Sequence, residues 1–364
     1  MSNDHKLFEP FNLNAIHLKN RAVLAPLTRS RATQDHIPTD IMATYYQQRA
    51  GAGLIITEGT SPSINGAGYA RIPGIYNETQ TEAWKPVTKA VREHDAKIFI
   101  QLMHTGRITH PANLEKGGIV LSPSPIAASN TKMYVDGQGE LELPVPREMT
   151  QEDIQTAISE FVKASENAIV AGFDGVELHG ANGYLLEQFL NPAGNKRTDS
   201  YGGSTENRTR FVIELAEKVA SAIGKEKVGI RLSPHGAFNE IVPFDEEKET
   251  FVYLAKKLGE IGVTYIHLVD HSSMGTPPLP KGLKESIRGS FGGTIIISGG
   301  YDFERAEQDL EEGLGHLVAF GRPFISNPDL LKRFKLGAEI TSPDPSTFYS
   351  PGEKGYIDYP TLEG

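Results

Sequence analysis

The chain contains no cysteine. That absence excludes disulfides, thiolate zinc sites, iron–sulfur clusters and a cysteine nucleophile together. No stretch approaches the roughly 20 consecutive apolar residues that cross a bilayer. The opening residues, MSNDHKLFEPFNL, show no basic segment leading into an apolar core. No secretory signal is therefore expected, and the expected location is cytoplasmic. Positive charge is in deficit, with a net charge of −10. A nucleic-acid binder normally shows a basic face, and an anionic membrane attracts one, so neither partner is expected. Net charge says nothing about a single cleft, and a local basic pocket for an anionic cofactor remains compatible with it. Also missing are a GxGxxG dinucleotide fingerprint between strand and helix, a GxSxG elbow and an HExxH zinc motif.

What is present reads as a soluble globular chain, 38% hydrophobic and 23% charged. Eight short, nearly continuous apolar runs recur: 22–27 (AVLAPL), 53–57 (GLIIT), 98–102 (IFIQL), 175–178 (GVEL), 228–232 (VGIRL), 265–269 (YIHLV), 294–298 (TIIIS) and 317–320 (LVAF). Such runs suit strands buried on both faces. Helical patterns fall between most of them, at 40–50, 79–95, 151–171, 205–223, 245–261, 303–312 and 327–336. Alternation of eight strands with helices predicts a parallel sheet closed as a (β/α)8 TIM barrel over residues 1–364, a single domain. Residues 7–20 predict a hairpin about Asn14 that plugs the bottom of the barrel. The Pro-, Gly- and Ser-rich stretch 110–147, between strands three and four, predicts an excursion over the barrel mouth. The segment after Ser342 carries Tyr349, Tyr356 and Tyr359. It either reaches a neighbouring subunit or covers its own site, so monomer and homo-oligomer both stay open.

In such a barrel the chemistry sits where the strands end. Strand one leads into Pro26, Leu27 and Thr28; strand two into Glu58 and Gly59; strand three ends at Gln101 and leads to His104. Strand four runs into His179, Asn182 and Tyr184, strand five carries Arg231 and Ser233, and strand six carries His267, Asp270 and His271. Ser298-Gly299-Gly300 and Gly321-Arg322-Pro323 close the series. The last two turns suit a phosphate cradle of backbone N–H groups with Arg322 as a bidentate cation; tight turns that need glycine are the plainer reading. Arg231 and Gln101 suit the edge of a flat heterocycle whose reduced form is negative, as in a flavin. A buried salt bridge from Arg231 to Glu58 is the competing account. His179 and Asn182 can both donate to one oxygen, and Tyr184 can serve as a neutral general acid; a strand-end histidine and a turn asparagine satisfied by backbone would look the same. No third ligand accompanies His267 and His271, so no metal site is expected.

Seven segments in order carry a resemblance: NRAVLAPLTRSRA (20–32), YYQQRAGAGLIITEG (45–59), IFIQLMHTGR (98–107), GFDGVELHGANGYLLEQFLNP (172–192), NKRTDSYGGSTENRTRF (195–211), GIRLSP (229–234) and FGRPFISNPDL (320–330). The chain resembles the old yellow enzymes, FMN-dependent ene-reductases, over nearly its whole length. The resemblance implies FMN held by Pro26, Leu27, Thr28, Gly59, Gln101 and Arg231, with Gly299, Gly300, Gly321 and Arg322 at its phosphate. It implies that His179 and Asn182 grip a carbonyl or nitro oxygen, that Tyr184 donates the proton and that Tyr69 lies over the substrate pocket. It further implies a ping-pong cycle: NADPH or NADH reduces FMN, then an α,β-unsaturated carbonyl receives hydride at its β-carbon and a proton from Tyr184 at its α-carbon. Small enones or nitro compounds are the implied substrates, and a nitrate-ester or nitroaromatic reductase is the implied alternative. Met103 replaces a tryptophan common among relatives, and the loop HLVDHSSMGTPPLPKG (267–282) lacks an aromatic residue found in close ones.

Overall fold

The computed structural model describes residues 5–363. The first four residues and Gly364 lie outside them, and with them the start of the segment read above for a leader. Among the described residues, no helix is long and apolar enough to cross a membrane.

Eight parallel strands close into a barrel: β1 Ala22–Leu24, β2 Leu54–Thr60, β3 Lys97–Leu102, β4 Gly175–Gly180, β5 Val228–Leu232, β6 Tyr265–Val269, β7 Thr294–Ser298 and β8 Leu317–Phe320. The helices that follow them are α1 Asp40–Gln48, α2 Glu78–Arg92, α3 Gln151–Val170, α4 Leu185–Leu190, α5 Thr205–Ile223, α6 Glu247–Ile261, α7 Lys281–Phe291, α8 Phe303–Glu311, α9 Arg322–Ser326 and α10 Leu330–Leu336. The period-2 geometry of a strand gives each one two faces. Val23, Leu54, Ile56, Phe99, Tyr265, Ile296 and Leu317 fill the barrel. Leu24, Ile55, Ile98, Ile100, Leu178 and Ile230 face the helices. In α3, Ile154, Ala157, Ile158, Phe161, Ala164 and Ala168 are buried at three- and four-residue spacing, which is the stripe a barrel helix needs. Thr150 and Asp153 cap its start reciprocally, Thr150 accepting from the Asp153 amide at 3.1 Å.

The bottom plug is present. Phe11–Leu13 pairs antiparallel with Ile16–Leu18, and Asn14 turns the chain with φ at 53°. Leu13 and Leu18 are fully buried beneath the inner barrel residues. The excursion lies over the mouth: a hairpin, Lys132–Val135 against Gly139–Glu142, places Met133 and Leu143 in one cluster with Ile108, Met103 and Tyr184.

Several boundaries differ from those expected. Strand β1 stops at Leu24 because Pro26 has no N–H for a ladder. Strand β2 runs on to Thr60, taking up a register shift between Ile56 and Gly59. Three helices were not predicted. Helix α4 (LLEQFL) is buried on all sides and has no amphipathic period. Helix α7 shows only Leu283, Ile287 and Phe291 on its buried face, and α9 is a single turn opening with Arg-Pro. The loop before α5 is pinned: Arg197 grips Asp199 at 3.0 and 2.6 Å, and the Ser204 hydroxyl caps α5.

The segment after Ser342 folds back over its own barrel mouth. Arg31 donates to the carbonyls of Phe348, Thr347 and Lys354 at 2.7, 2.9 and 3.0 Å. Arg29 donates to Gly355 at 2.7 Å. Tyr356 is stacked on Tyr45 with ring centres 4.2 Å apart and planes 4° from parallel.

Candidate active site

A cavity of about 460 Å³ opens at the C-terminal ends of the strands. Pro26, Leu27, Thr28, Gln101, His179, Asn182, Tyr184, Arg231, Gly299, Gly300, Gly321 and Arg322 all line it. Residues from six strand ends thus converge on one trough. Two expected members stand back from the wall. A Cβ on Gly59 would meet Met103 Sδ at 2.5 Å, so this glycine makes room for Met103, which does line the cavity. Tyr69 joins through its hydroxyl, 2.9 Å from that of Tyr184.

The β4 turn holds its three polar side chains in fixed states. The Ala181 amide donates to His179 Nδ1 at 3.3 Å, which leaves the proton of the neutral ring on Nε2. Burial, and then the charge of Arg231, hold the His179 pKa well below the ordinary value, so the ring is neutral. Asn182 takes φ of 60°, a left-handed conformation that asparagine tolerates. Gly183 follows with φ of 74°, and a Cβ there would lie 2.6 Å from the Phe238 carbonyl. The chain therefore turns sharply and brings Tyr184 back edge-on to His179, with ring centres 5.0 Å apart. Burial, then the Tyr69 phenol, push the Tyr184 pKa well above its ordinary value. Tyr69 is itself pushed up to about 12, chiefly by burial. Both phenols stay protonated.

Beneath them runs a row of buried polar side chains. Gln101 Nε2 donates to Glu177 Oε1 at 2.8 Å, Glu177 Oε2 meets His267 Nδ1 at 2.9 Å, and His267 Nε2 meets Ser298 Oγ at 3.1 Å. This row orients the Gln101 amide. Arg231 is aligned with His179 across the β4–β5 ladder. It forms no ion pair with Glu58, contrary to one of the two readings of the sequence. Glu58 instead accepts from the Arg29 amide at 3.3 Å and from Tyr46 at 3.4 Å, and burial raises its pKa to about 7. Arg231 Nε is buried without a partner. A guanidinium keeps its charge under these conditions, so a cationic side chain with one unsatisfied donor lines the trough.

At the opposite end, Gly299 and Gly300 have φ of 130° and 67°. A Cβ on Gly299 would stand 2.3 Å from the Asp270 carbonyl. Only glycine fits this turn. Arg322 is exposed at the rim. Among the described residues no metal cluster of three or more His, Asp or Glu forms.

The cavity also takes in His271, which strand-end reasoning listed without a role, and three residues it did not list, Phe238, Phe348 and Tyr349. These come from the β5 loop, the β6 loop and the folded-back segment. Aromatic residues in an otherwise unpatterned tail were the one available signal for the last two.

Comparison with known proteins agrees with this arrangement. Residues 6–340 match the NADH:flavin oxidoreductase / NADH oxidase family. A Leishmania infantum protein, a probable flavin mononucleotide-dependent alkene reductase, is 38% identical over 98% of this chain and 97% of its own. Morphinone reductase superposes with a TM-score of 0.95 at 41% identity, covering 99% of this chain and 97% of its own. The old yellow enzyme homologue of Zymomonas mobilis superposes at 0.93 with 38% identity, covering 98% and 100%. With a closed barrel, a polar trough at its C-terminal face and these relatives along its whole length, the chain belongs to the NADH:flavin oxidoreductase / NADH oxidase family and is an FMN-dependent oxidoreductase of the old yellow enzyme type.

Proposed function

We propose that this enzyme reduces the activated C=C bond of α,β-unsaturated carbonyl compounds at the expense of NADPH or NADH, with the cytoplasm as its working place. One observation carries the reading. Two neutral donors, His179 Nε2–H and the Asn182 amide, share a cavity with Tyr184, a phenol kept protonated by burial.

The residues present fit FMN. The unpartnered Arg231 Nε and the oriented Gln101 amide suit the pyrimidine edge of the ring. The turn at Gly299 and Gly300, with Gly321 and Arg322 beside it, suits the phosphate. Pro26, Leu27 and Thr28 form the wall between these ends, and Gly59 shapes it through Met103. Bound FMN supplies the two-electron store that links nicotinamide oxidation to substrate reduction.

The chain's own part is positioning and proton transfer. His179 and Asn182 hold the substrate oxygen and stabilise the negative charge it gains when hydride reaches the β-carbon. Tyr184 then gives its proton to the α-carbon, and solvent replaces that proton. The two phenols share one hydrogen bond in which either oxygen can donate; in the arrangement where Tyr69 donates, the Tyr184 proton is free for substrate and the phenolate formed in transfer is stabilised.

The test separates two half-reactions. In Tyr184→Phe, NADPH should bleach the flavin bands at the wild-type rate, while their return with cyclohexenone slows by about 100-fold or more. Equal slowing of both phases would remove Tyr184 from proton donation. In the wild type, bands that return with a nitrate ester but not with the enone would move the substrate class to nitro compounds.

A further inference from the structure

Asn182 is held unusually completely. Its N–H donates to Ser233 Oγ at 2.9 Å, and Ser233 in turn donates to Glu187 Oε1 at 2.7 Å. Its carbonyl accepts from Asn239 Nδ2 at 2.8 Å. With the backbone fixed on both sides, only the side-chain amide is free to rotate. That rotation matters, because one face of a primary amide donates and the other accepts. Turned the wrong way, Asn182 would present an oxygen to the substrate oxygen and repel it.

His271, in the loop after β6, faces that amide. Its Nε2 lies 2.8 Å from Asn182 Oδ1. The ring is 3% exposed and sits beside Phe238, 6.0 Å between centres. Its Nδ1 is buried with no partner. Space there is tight, since a Cβ on Gly236 would meet Nδ1 at 2.9 Å. A neutral imidazole carries one N–H, and only Nε2 has an acceptor within reach. Burial, then the Arg231 charge, lower the His271 pKa to about 4, in keeping with a neutral ring.

We infer that His271 is a positioning residue: its Nε2–H takes the Asn182 oxygen and thereby turns the Asn182 NH2 toward the substrate oxygen. The inference rests on the reading of Asn182 as part of the substrate grip.

The test uses the FMN-loaded full chain with His271→Ala and His271→Gln, each alone and combined with Asn182→Ala. Two quantities are read: the limiting rate of reoxidation by cyclohexenone, and the calorimetric Kd of 4-chlorophenol, which offers an oxygen to the same donors but no bond to reduce. His271→Ala should slow reoxidation about tenfold and weaken 4-chlorophenol by a similar factor. His271→Gln, which keeps a side-chain N–H, should recover most of both. On the Asn182→Ala background, His271→Ala should add nothing, as a double-mutant cycle requires when one residue acts through the other. An equal loss on both backgrounds overturns the inference, because it reports general disturbance of the loop. Wild-type behaviour of His271→Ala beside an impaired Asn182→Ala overturns it too, and leaves the grip standing. An unimpaired Asn182→Ala removes the grip itself, and the positioning role with it.

Discussion

At the scale of single residues, burial sets protonation throughout the mouth of the barrel. His104, directly after β3, is 1% exposed, and its Nε2 has no partner. Burial alone lowers its pKa from 6.5 to about 4. In that interval the unfolded chain binds a proton at His104 that the folded chain does not, so stability falls as pH falls. The full effect corresponds to roughly 3 kcal/mol. His179, His267 and His271 are lowered as well and act in the same direction. Glu58 and Glu187 act oppositely. Burial raises both from 4.5 to about 7, so the stability they contribute is present below 4.5 and is lost as pH rises through about 7. A difference measurement isolates His104. Urea midpoints at pH 6.5 and pH 4.5 should fall less in His104→Asn than in the wild type, and equal falls would show that the site titrates normally.

Elements differ in how openly their sequences declare them. The strands β5 to β8 begin and end where the apolar runs do, because each is buried on both faces. Helices α3 and α5 were legible from their periodic stripes. Helix α4 was not, because a helix surrounded by protein carries no polar face to mark its period. The hairpin was legible from its alternation about Asn14. Its energetic weight follows from Leu18, fully buried under the barrel floor. Leu18→Ala should destabilise the protein by about 2–5 kcal/mol, the range for buried leucine truncation, read as a lowered denaturation midpoint. The FMN affinity of the folded variant should be unchanged, since the plug lies at the opposite end of the barrel from the cavity.

Across the whole molecule, legibility depended on how far apart in sequence the partners lie. His179, Asn182 and Tyr184 sit within six positions, and one turn brings them together, so the sequence displays them as a group. Gln101 and Arg231 were found by a general rule about strand ends. His271 was visible as a strand-end residue, but its role depends on a loop conformation that juxtaposes it with a residue 89 positions earlier. Phe348 and Tyr349 reach the cavity because Arg29 and Arg31 collect the carbonyls of a segment more than 300 positions away, with Arg71 donating to the Tyr349 carbonyl as well. Tyr356 anchors that segment: it is fully buried, stacked on Tyr45, with Arg31 4.7 Å above its ring. Tyr356→Ala should cost about 3–5 kcal/mol by analogy with other large aromatic truncations. It should also raise the KM for cyclohexenone as the Phe348–Tyr349 rim loosens. A lowered midpoint with an unchanged KM would show that the rim is held elsewhere.

The arginine clasp also has a temporal side. Arg29 and Arg31 leave the ribosome near the start of synthesis, and their carbonyl partners emerge after all eight strands have been made. Until then these two guanidiniums keep only local partners, the Tyr45 hydroxyl and the Arg29 carbonyl, and the trough lacks one wall. Closing it requires a contact spanning most of the chain, the kind that forms late in folding. A message cut short after α10 would therefore still encode the eight strands and their helices, but with a gap in the rim of the trough.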